Sequence, residues 1–279
     1  MRASLRIGHI SDLHLRQHLS GTSAVAARSS RDMSDLMSEA VAGMRGASLD
    51  LVVVTGDLID HPHEHQDTAV SLRDGEKDLL LVAEALAELP CPWMVLPGNH
   101  DHPTLFSRIF GARPREFEVC GTRIVAFFDW DRALGSKPCV ADDAPDVPDN
   151  VPRRVGAERD RFQAVLAGDD PRPQVHLQHY VITPRCDEGW PHTYLDGELL
   201  RDALSRDGRV RLCLSGHYHP GVDSFFQGDA GVGTWFCVAP AFCQTPHPYL
   251  LHELAQDGSL ITSRVELRPN PSSSLEAVS

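Results

Sequence analysis

Five short clusters of metal-ligand residue types punctuate this chain, and each follows an apolar run. They are Asp12-Leu13-His14, Gly56-Asp57, Gly98-Asn99-His100-Asp101, His179 and Gly216-His217-Tyr218-His219. The runs before them, such as Leu51-Val52-Val53-Val54 and Trp93-Met94-Val95-Leu96, are short, continuous and rich in β-branched residues. Runs of that kind read as strands buried on both faces. For all five clusters to meet, the strands must lie side by side with their carboxyl ends at one edge, where open α/β sheets carry their ligands. Few folds satisfy that condition, and an α/β class follows from it.

The remaining periodicity agrees with this class. Residues 31–45 place Met33, Leu36, Met37, Ala40, Val41 and Met44 at helical spacing, and residues 76–88 repeat the pattern with Leu79, Val82 and Leu86. Shorter helices are expected over 157–167 and 197–206. Further strands are expected at 5–10, 174–178 and 210–214, and at 222–227, 233–239, 248–254 and 260–266. Cys120-Gly121 reads as a hairpin turn between 116–119 and 122–128. Residues 19–30 read as a loop or the start of a weak helix. Residues 135–156, rich in Pro and Asp, read as a surface loop, with a lid as the alternative. Alternating strands and helices followed by a strand-rich end imply two packed sheets flanked by helices. The reading is a single domain over 1–268 and a disordered tail over 269–279.

Composition excludes several classes. No apolar run approaches the ~20 residues needed to span a bilayer, and no separate apolar leader precedes the first strand. The seven cysteines contain no CxxC pair and several lie in apolar runs, so they read as reduced and buried, in a cytoplasmic protein. A Cys237–Cys243 bridge is the lesser alternative. A net charge of −13 argues against nucleic acid or an anionic membrane as partner. It does not exclude an anionic substrate, because two bound cations make a pocket positive inside an acidic protein.

The five clusters supply what two divalent ions require, carboxylate oxygen and imidazole nitrogen. Asp12 and His14 alternate after a strand and can turn to one ion. Asp57 can bridge two ions ~3.5–4 Å apart. Asn99 offers a neutral oxygen, His217 and His219 can serve one ion each, and His179 completes the set, with His176 as its competitor. Two ions bring four positive charges and Asp12 and Asp57 remove two, so the site favours a hydroxide between the ions and an anionic phosphoryl group. The hydroxide would attack phosphorus in line. His100, next to Asn99, can give a proton to the leaving alkoxide, and Asp60 can hold its ring. Asp101 is expected to fix the turn.

These residues resemble the calcineurin-like metallophosphoesterase superfamily, whose pattern is D-x-H, G-D-x-x-D, G-N-H-D/E, H and G-H-x-H. The resemblance runs from residue 5 to about 265. It implies a four-layer α/β/β/α sandwich and two metal ions drawn from Mn, Fe and Zn. Asp12, His14, Asp57 and His219 would bind the first ion, and Asp57, Asn99, His179 and His217 the second. It also implies His100 as proton donor with Asp60 as its partner. His61-Pro62 replaces the Arg-Gly of the Ser/Thr protein phosphatases, and His100 stands where lipid A precursor hydrolases carry Arg. The compact chain leaves little to build the capping domain of the repair nucleases. The chain most resembles the class III cyclic-nucleotide phosphodiesterase and glycerophosphodiesterase branch, although Tyr180-Val181 follows His179 where that branch has a second His or prolines.

The expected activity is hydrolysis of a small phosphodiester. A phosphomonoesterase with the same core and an inactive binding protein are the alternatives. His61, His63 and Tyr218 are candidates for substrate contact at the rim, against readings as a solvated loop and a packed ring. His102 is expected at the rim or in solvent, and His9 as a satisfied strand histidine. Arg16, Arg108, Arg132 and Arg185 are candidate phosphate clamps, and Trp190 and His192 belong to the loop that shapes the leaving-group side. The C-terminal hairpins leave a homo-oligomer open.

Overall fold

The computed structural model describes residues 4–62, 67–129, 150–229 and 232–268. The strands are β1 (Ser4–Ile10), β2 (Leu51–Val54), β3 (Trp93–Val95), β4 (Glu116–Val119), β5 (Thr122–Ala126), β6 (Gln174–Leu177), β7 (Val210–Ser215), β8 (Val222–Asp229), β9 (Val232–Val238), β10 (Pro248–Ala255) and β11 (Leu260–Glu266). The helices are α1 (Met33–Gly46), α2 (Ala69–Ala87), α3 (Pro103–Phe110), α4 (Gly156–Ala167) and α5 (Gly197–Asp207). One sheet runs β11-β10-β1-β2-β3 and the other β4-β5-β6-β7-β9-β8. β1, β2 and β3 are parallel, as are β5, β6, β7 and β9. β10 joins β1 antiparallel, and β4 and β8 form antiparallel edges on the second sheet. Both sheets are therefore mixed.

Alternation along the strands builds four layers. Leu51 and Val53 of β2 face the other sheet, where they meet Ile124, Val175, Leu177, Leu212 and Leu214. Val52 and Val54 face outward onto Met37 and Met44 of α1 and Leu79 and Leu86 of α2. All four β2 residues are buried, as a strand covered on both sides requires. The outer face of the second sheet packs Val125, Cys213 and Phe236 against Phe162 and Val165 of α4 and Leu200 and Leu204 of α5. Each fully buried Val or Leu in these layers contributes roughly 1.5–3 kcal/mol.

Local signals explain most element bounds. The six residues expected on the buried face of α1 are its six buried residues. α2 begins well before residue 76 because Thr68 caps it, its hydroxyl accepting the Ser71 N–H. Its first turns carry Arg73, Asp74 and Gly75, so apolar spacing does not mark them. α3 has no expected counterpart: its eight residues are too few for a clear period. Its start is set by Pro103 at the first turn and by His102, whose Nδ1 accepts the Leu105 N–H. His102 is therefore buried as a cap, rather than lying at the rim or in solvent. Cys237 and Cys243 are free thiols. No described helix is long and apolar enough to cross a membrane. The expected tail and most of the 135–156 loop lie outside the described residues.

Candidate active site

β1, β2 and β3 of one sheet and β6 and β7 of the other end at a common edge, and the five sequence clusters are the turns that follow them. Backbone bonds run the first two turns side by side: Asp12 N–H to Gly56 O, His14 N–H to Asp57 O and Leu15 N–H to Leu58 O. Gly216 N–H to His179 O joins the turns after β6 and β7. Asp12, His14, Asp57 and His217 all have positive φ, between 45° and 68°. Non-glycine residues avoid that region, and such conformations collect at functional sites. At Gly98 a Cβ would collide with the Asp57 carboxylate and backbone, so only glycine allows the third turn to approach the second.

The side chains gather into two groups that share Asp57. In the first, His14 Nε2 lies 3.2 Å from His219 Nε2 and 3.4 Å from Asp57 Oδ2. Asp12 Oδ1 is 3.7 Å from His219 Nε2 and 3.9 Å from His14 Nε2. In the second, His179 Nε2 lies 3.5 Å from Asp57 Oδ1 and 3.2 Å from Asn99 Oδ1. His217 joins this group. Ligands about 2.0–2.2 Å from a common ion stand roughly this far apart. Asp57 turns one oxygen to each group.

The residues fit metal ions on a further observation. Asp12 Oδ1 and His217 Nε2 are buried and have no hydrogen-bond partner among the described residues, although buried polar atoms are seldom left orphaned. The opposite ends of these groups are held. Asp12 Oδ2 accepts the His217 N–H, His179 Nδ1 donates to Thr55 O at 2.7 Å, and the Gln244 amide lies 3.0 Å from His219 Nδ1. Such contacts orient ligand rings toward an ion.

Burial sets most of the protonation pattern. It lowers His14 to about 4, against the opposing pull of Asp57 and Asp60. Burial, with His179 nearby, holds His217 well below the usual range, and burial lowers His219. These rings are neutral, as metal ligation requires. His179 differs: burial would lower it, but Asp57 lifts it to about 9. His100 is also raised, because Asp57 and Asp60 outweigh its burial. Its Nδ1 lies 2.9 Å from Asp60 Oδ1. Asp101 accepts backbone N–H groups from Leu58, Ile59 and Gly98, and so ties the second turn to the third.

A cleft of about 280 Å³ opens over these groups. Asp57, Asn99, His100, His217 and His219 form its floor, and Val25, Arg28, Trp190 and His192 close the walls. Trp190 and His192, expected on the leaving-group side, both line the cleft. Val25 and Arg28 were missed, because nothing in the Ser- and Ala-rich loop marks them. His61 corrects an expectation. It is buried beneath α2, with Nε2 3.3 Å from Ser71 O and its ring against His102, and it does not line the cleft. Tyr218 packs on Val181, Cys186 and Val238 and touches His192, also away from the cleft. His63 and Arg132 lie outside the described residues. Arg16 is committed to the carbonyls of Asp60 and Thr22, while Arg108 and Arg185 pair with Glu76 and Asp187. His176 is buried between Phe127 and Phe162 on the outer face, and His9 bonds Thr55 and His252.

Comparison with known proteins bears on this arrangement. The family model described as calcineurin-like phosphoesterase matches residues 5–221. A probable cyclic nucleotide phosphodiesterase of Synechococcus is 25% identical over 232 residues, covering 77% of this chain and 76% of that protein. A dimetal phosphatase from Danio rerio superposes with a TM-score of 0.70 at 16% identity, covering 95% of this chain and 97% of the other. A purple acid phosphatase from yellow lupin superposes at 0.59 and 13% identity, covering 96% of this chain and 52% of that one. The two structural likenesses share the layered fold.

Proposed function

The chain belongs to the calcineurin-like phosphoesterase family, and on that premise we propose that it is a dinuclear-metal-dependent phosphodiesterase acting on small diesters of the cyclic-nucleotide or glycerophosphodiester type. The observation that carries the reading is Asp57, whose two oxygens face two separate ligand groups, His14 at 3.4 Å and His179 at 3.5 Å. Asp12, His14, Asp57 and His219 would hold one ion, and Asp57, Asn99, His179 and His217 the other. Manganese, iron and zinc all suit this oxygen and nitrogen donor set. Two such ions, when bound, supply Lewis acidity and a water-derived nucleophile near neutral pH.

The chain's own residues would do the rest. His100 keeps its proton to higher pH than a free imidazole and stands on the cleft floor. It is the group placed to protonate a departing alkoxide. Asp60 fixes the ring from Nδ1, leaving Nε2 as the donor. Val25 and Trp190 offer a carbon wall on which an organic substituent can pack.

The preference for a diester rests on that wall, which gives a second organic substituent a surface to pack on. The Synechococcus relative supports the same choice. A phosphomonoesterase is the second reading, and the likeness to the lupin phosphatase favours it.

The test is hydrolysis of bis(p-nitrophenyl) phosphate and p-nitrophenyl phosphate by protein stripped of metal and reloaded with Mn, Zn or Fe. Faster metal-dependent diester cleavage that collapses in Asn99→Ala is the expected result. Faster monoester cleavage would move the assignment to a phosphatase. No cleavage with any metal would leave a binding protein.

A further inference from the structure

Arg28 stands in the cleft without a role in either ligand group. Its side chain is 8% exposed. Nη1 donates to Asp60 Oδ1 at 3.2 Å and more weakly to Ser23 Oγ. The side-on edge formed by Nε and Nη2 makes no hydrogen bond among the described residues, and Nε is fully buried. A buried guanidinium with idle donors is costly unless something takes them.

Holding the surrounding loop does not account for this. Arg16 already binds the Asp60 carbonyl through Nε at 3.1 Å and Nη2 at 2.8 Å, and the Thr22 carbonyl through Nη1. Arg31 binds the carbonyls of Arg16 and Gln17. Two other arginines thus fasten the segment between β1 and α1, while Arg28 lines the cleft with Asn99, His100 and His217. A metal ion cannot use a guanidinium, since like charges repel. A carbonyl or an anion can; no carbonyl among the described residues hydrogen-bonds Nε or Nη2 of Arg28, and a phosphoryl oxygen forms the stronger, charge-assisted bond.

We infer that Arg28 is a substrate-contacting residue that gives its Nη2 N–H to a non-bridging phosphoryl oxygen of the bound ester, in the cleft it lines with Asn99, His100 and His217. This rests on the phosphoesterase reading of the site. Because Asp60 Oδ1 receives both Arg28 and His100, the arginine would also place the phosphoryl group beside the proton donor. The contact is made to oxygens shared by every ester of the class, so it would set binding strength rather than choice of leaving group.

The experiment uses Arg28→Gln and Arg28→Lys in full-length, metal-loaded protein. Inorganic phosphate is titrated calorimetrically, KM and kcat are measured on bis(p-nitrophenyl) phosphate, and metal content is determined in each preparation. Arg28→Gln should raise the phosphate Kd and the KM about tenfold, with a smaller change in kcat, as loss of a charge-assisted contact implies. Arg28→Lys keeps the charge without the fork and should fall between wild type and Gln. The inference is overturned if phosphate Kd and KM stay within twofold of wild type at equal metal content while kcat alone falls, since Arg28 would then serve only to balance Asp60. Loss of metal from both variants would also overturn it, by assigning Arg28 to holding the ligand turns. Phosphate binding that depends on Arg28 in a protein that cleaves no ester would uphold the inference and sink the phosphodiesterase reading instead.

Discussion

Removing the Asp101 carboxylate tests how the ligand-bearing turns are held. Oδ2 accepts the Gly98 N–H at 2.8 Å and the Leu58 N–H at 3.1 Å, and Oδ1 accepts the Ile59 N–H at 3.0 Å. The residue is 3% exposed. Asp101→Ala leaves three buried donors without partners, each worth about 1–3 kcal/mol. A water entering the vacated space could satisfy two of them. The expected loss therefore runs from about 1–3 kcal/mol with that water to about 3–9 kcal/mol without it, against the ~5–15 kcal/mol that keeps a domain folded. Asp101→Asn keeps one acceptor oxygen but turns an NH2 toward the third donor, so its loss should be about 1–3 kcal/mol. Denaturant unfolding of metal-free protein measures both, and metal content reports whether Asp57 and Asn99 stay in register. The pH dependence adds a sign. Burial and Asp57 raise Asp101 above its unfolded value near 4. Its contribution is full below pH 4 and falls as pH rises through the raised value, so the gap between wild type and Asp101→Asn should narrow with rising pH. A loss under ~1 kcal/mol in Asp101→Ala, with an unchanged denaturant slope, would refute the account.

Replacing His100 with Asn should lower kcat by about 10²–10⁴ on esters with alkyl leaving groups and far less on p-nitrophenyl esters, whose leaving group departs without a proton. Equal losses on both would remove the donor role. Burial depresses His252 to about 3, below its unfolded value of about 6.5, so its stability contribution is present above pH 6.5 and lost as pH falls. That loss reaches roughly 2 kcal/mol by pH 5, and His252→Gln should show a flatter acid limb in urea midpoints; parallel limbs would contradict it. Chelation should lower Tm, and calorimetry should show metal affinity rising from pH 6.5 toward 9, because the His179 proton retained beside Asp57 must leave. Affinity independent of pH over that span would contradict this.

Legibility differed from residue to residue for physical reasons. β2 and α1 were readable because two-sided burial and the 3.6-residue period are local patterns in the chain. α3 and the start of α2 were not, since caps at His102 and Thr68 begin them rather than apolar spacing. His179 was separable from His176 by alternation and by its place nearer the strand end, and the structure puts His176 on the outer face of the sheet and His179 just past the carboxyl end of β6. His61 misled because a histidine four residues past Asp57 can face the cleft or the helix, and the space beside Gly75 of α2 takes it.

The residue types and order of the five clusters determined the donor chemistry, because ligand capacity belongs to side-chain identity and strand ends follow from local pattern. The tertiary structure alone decided that Arg16 and Arg31 fasten a loop while Arg28 lines the cleft, that His61 lies beneath α2 and that Tyr218 packs away from the cleft. Those outcomes depend on which distant carbonyls, carboxylates and apolar surfaces arrive beside each side chain, and that is set only when the two sheets close on each other.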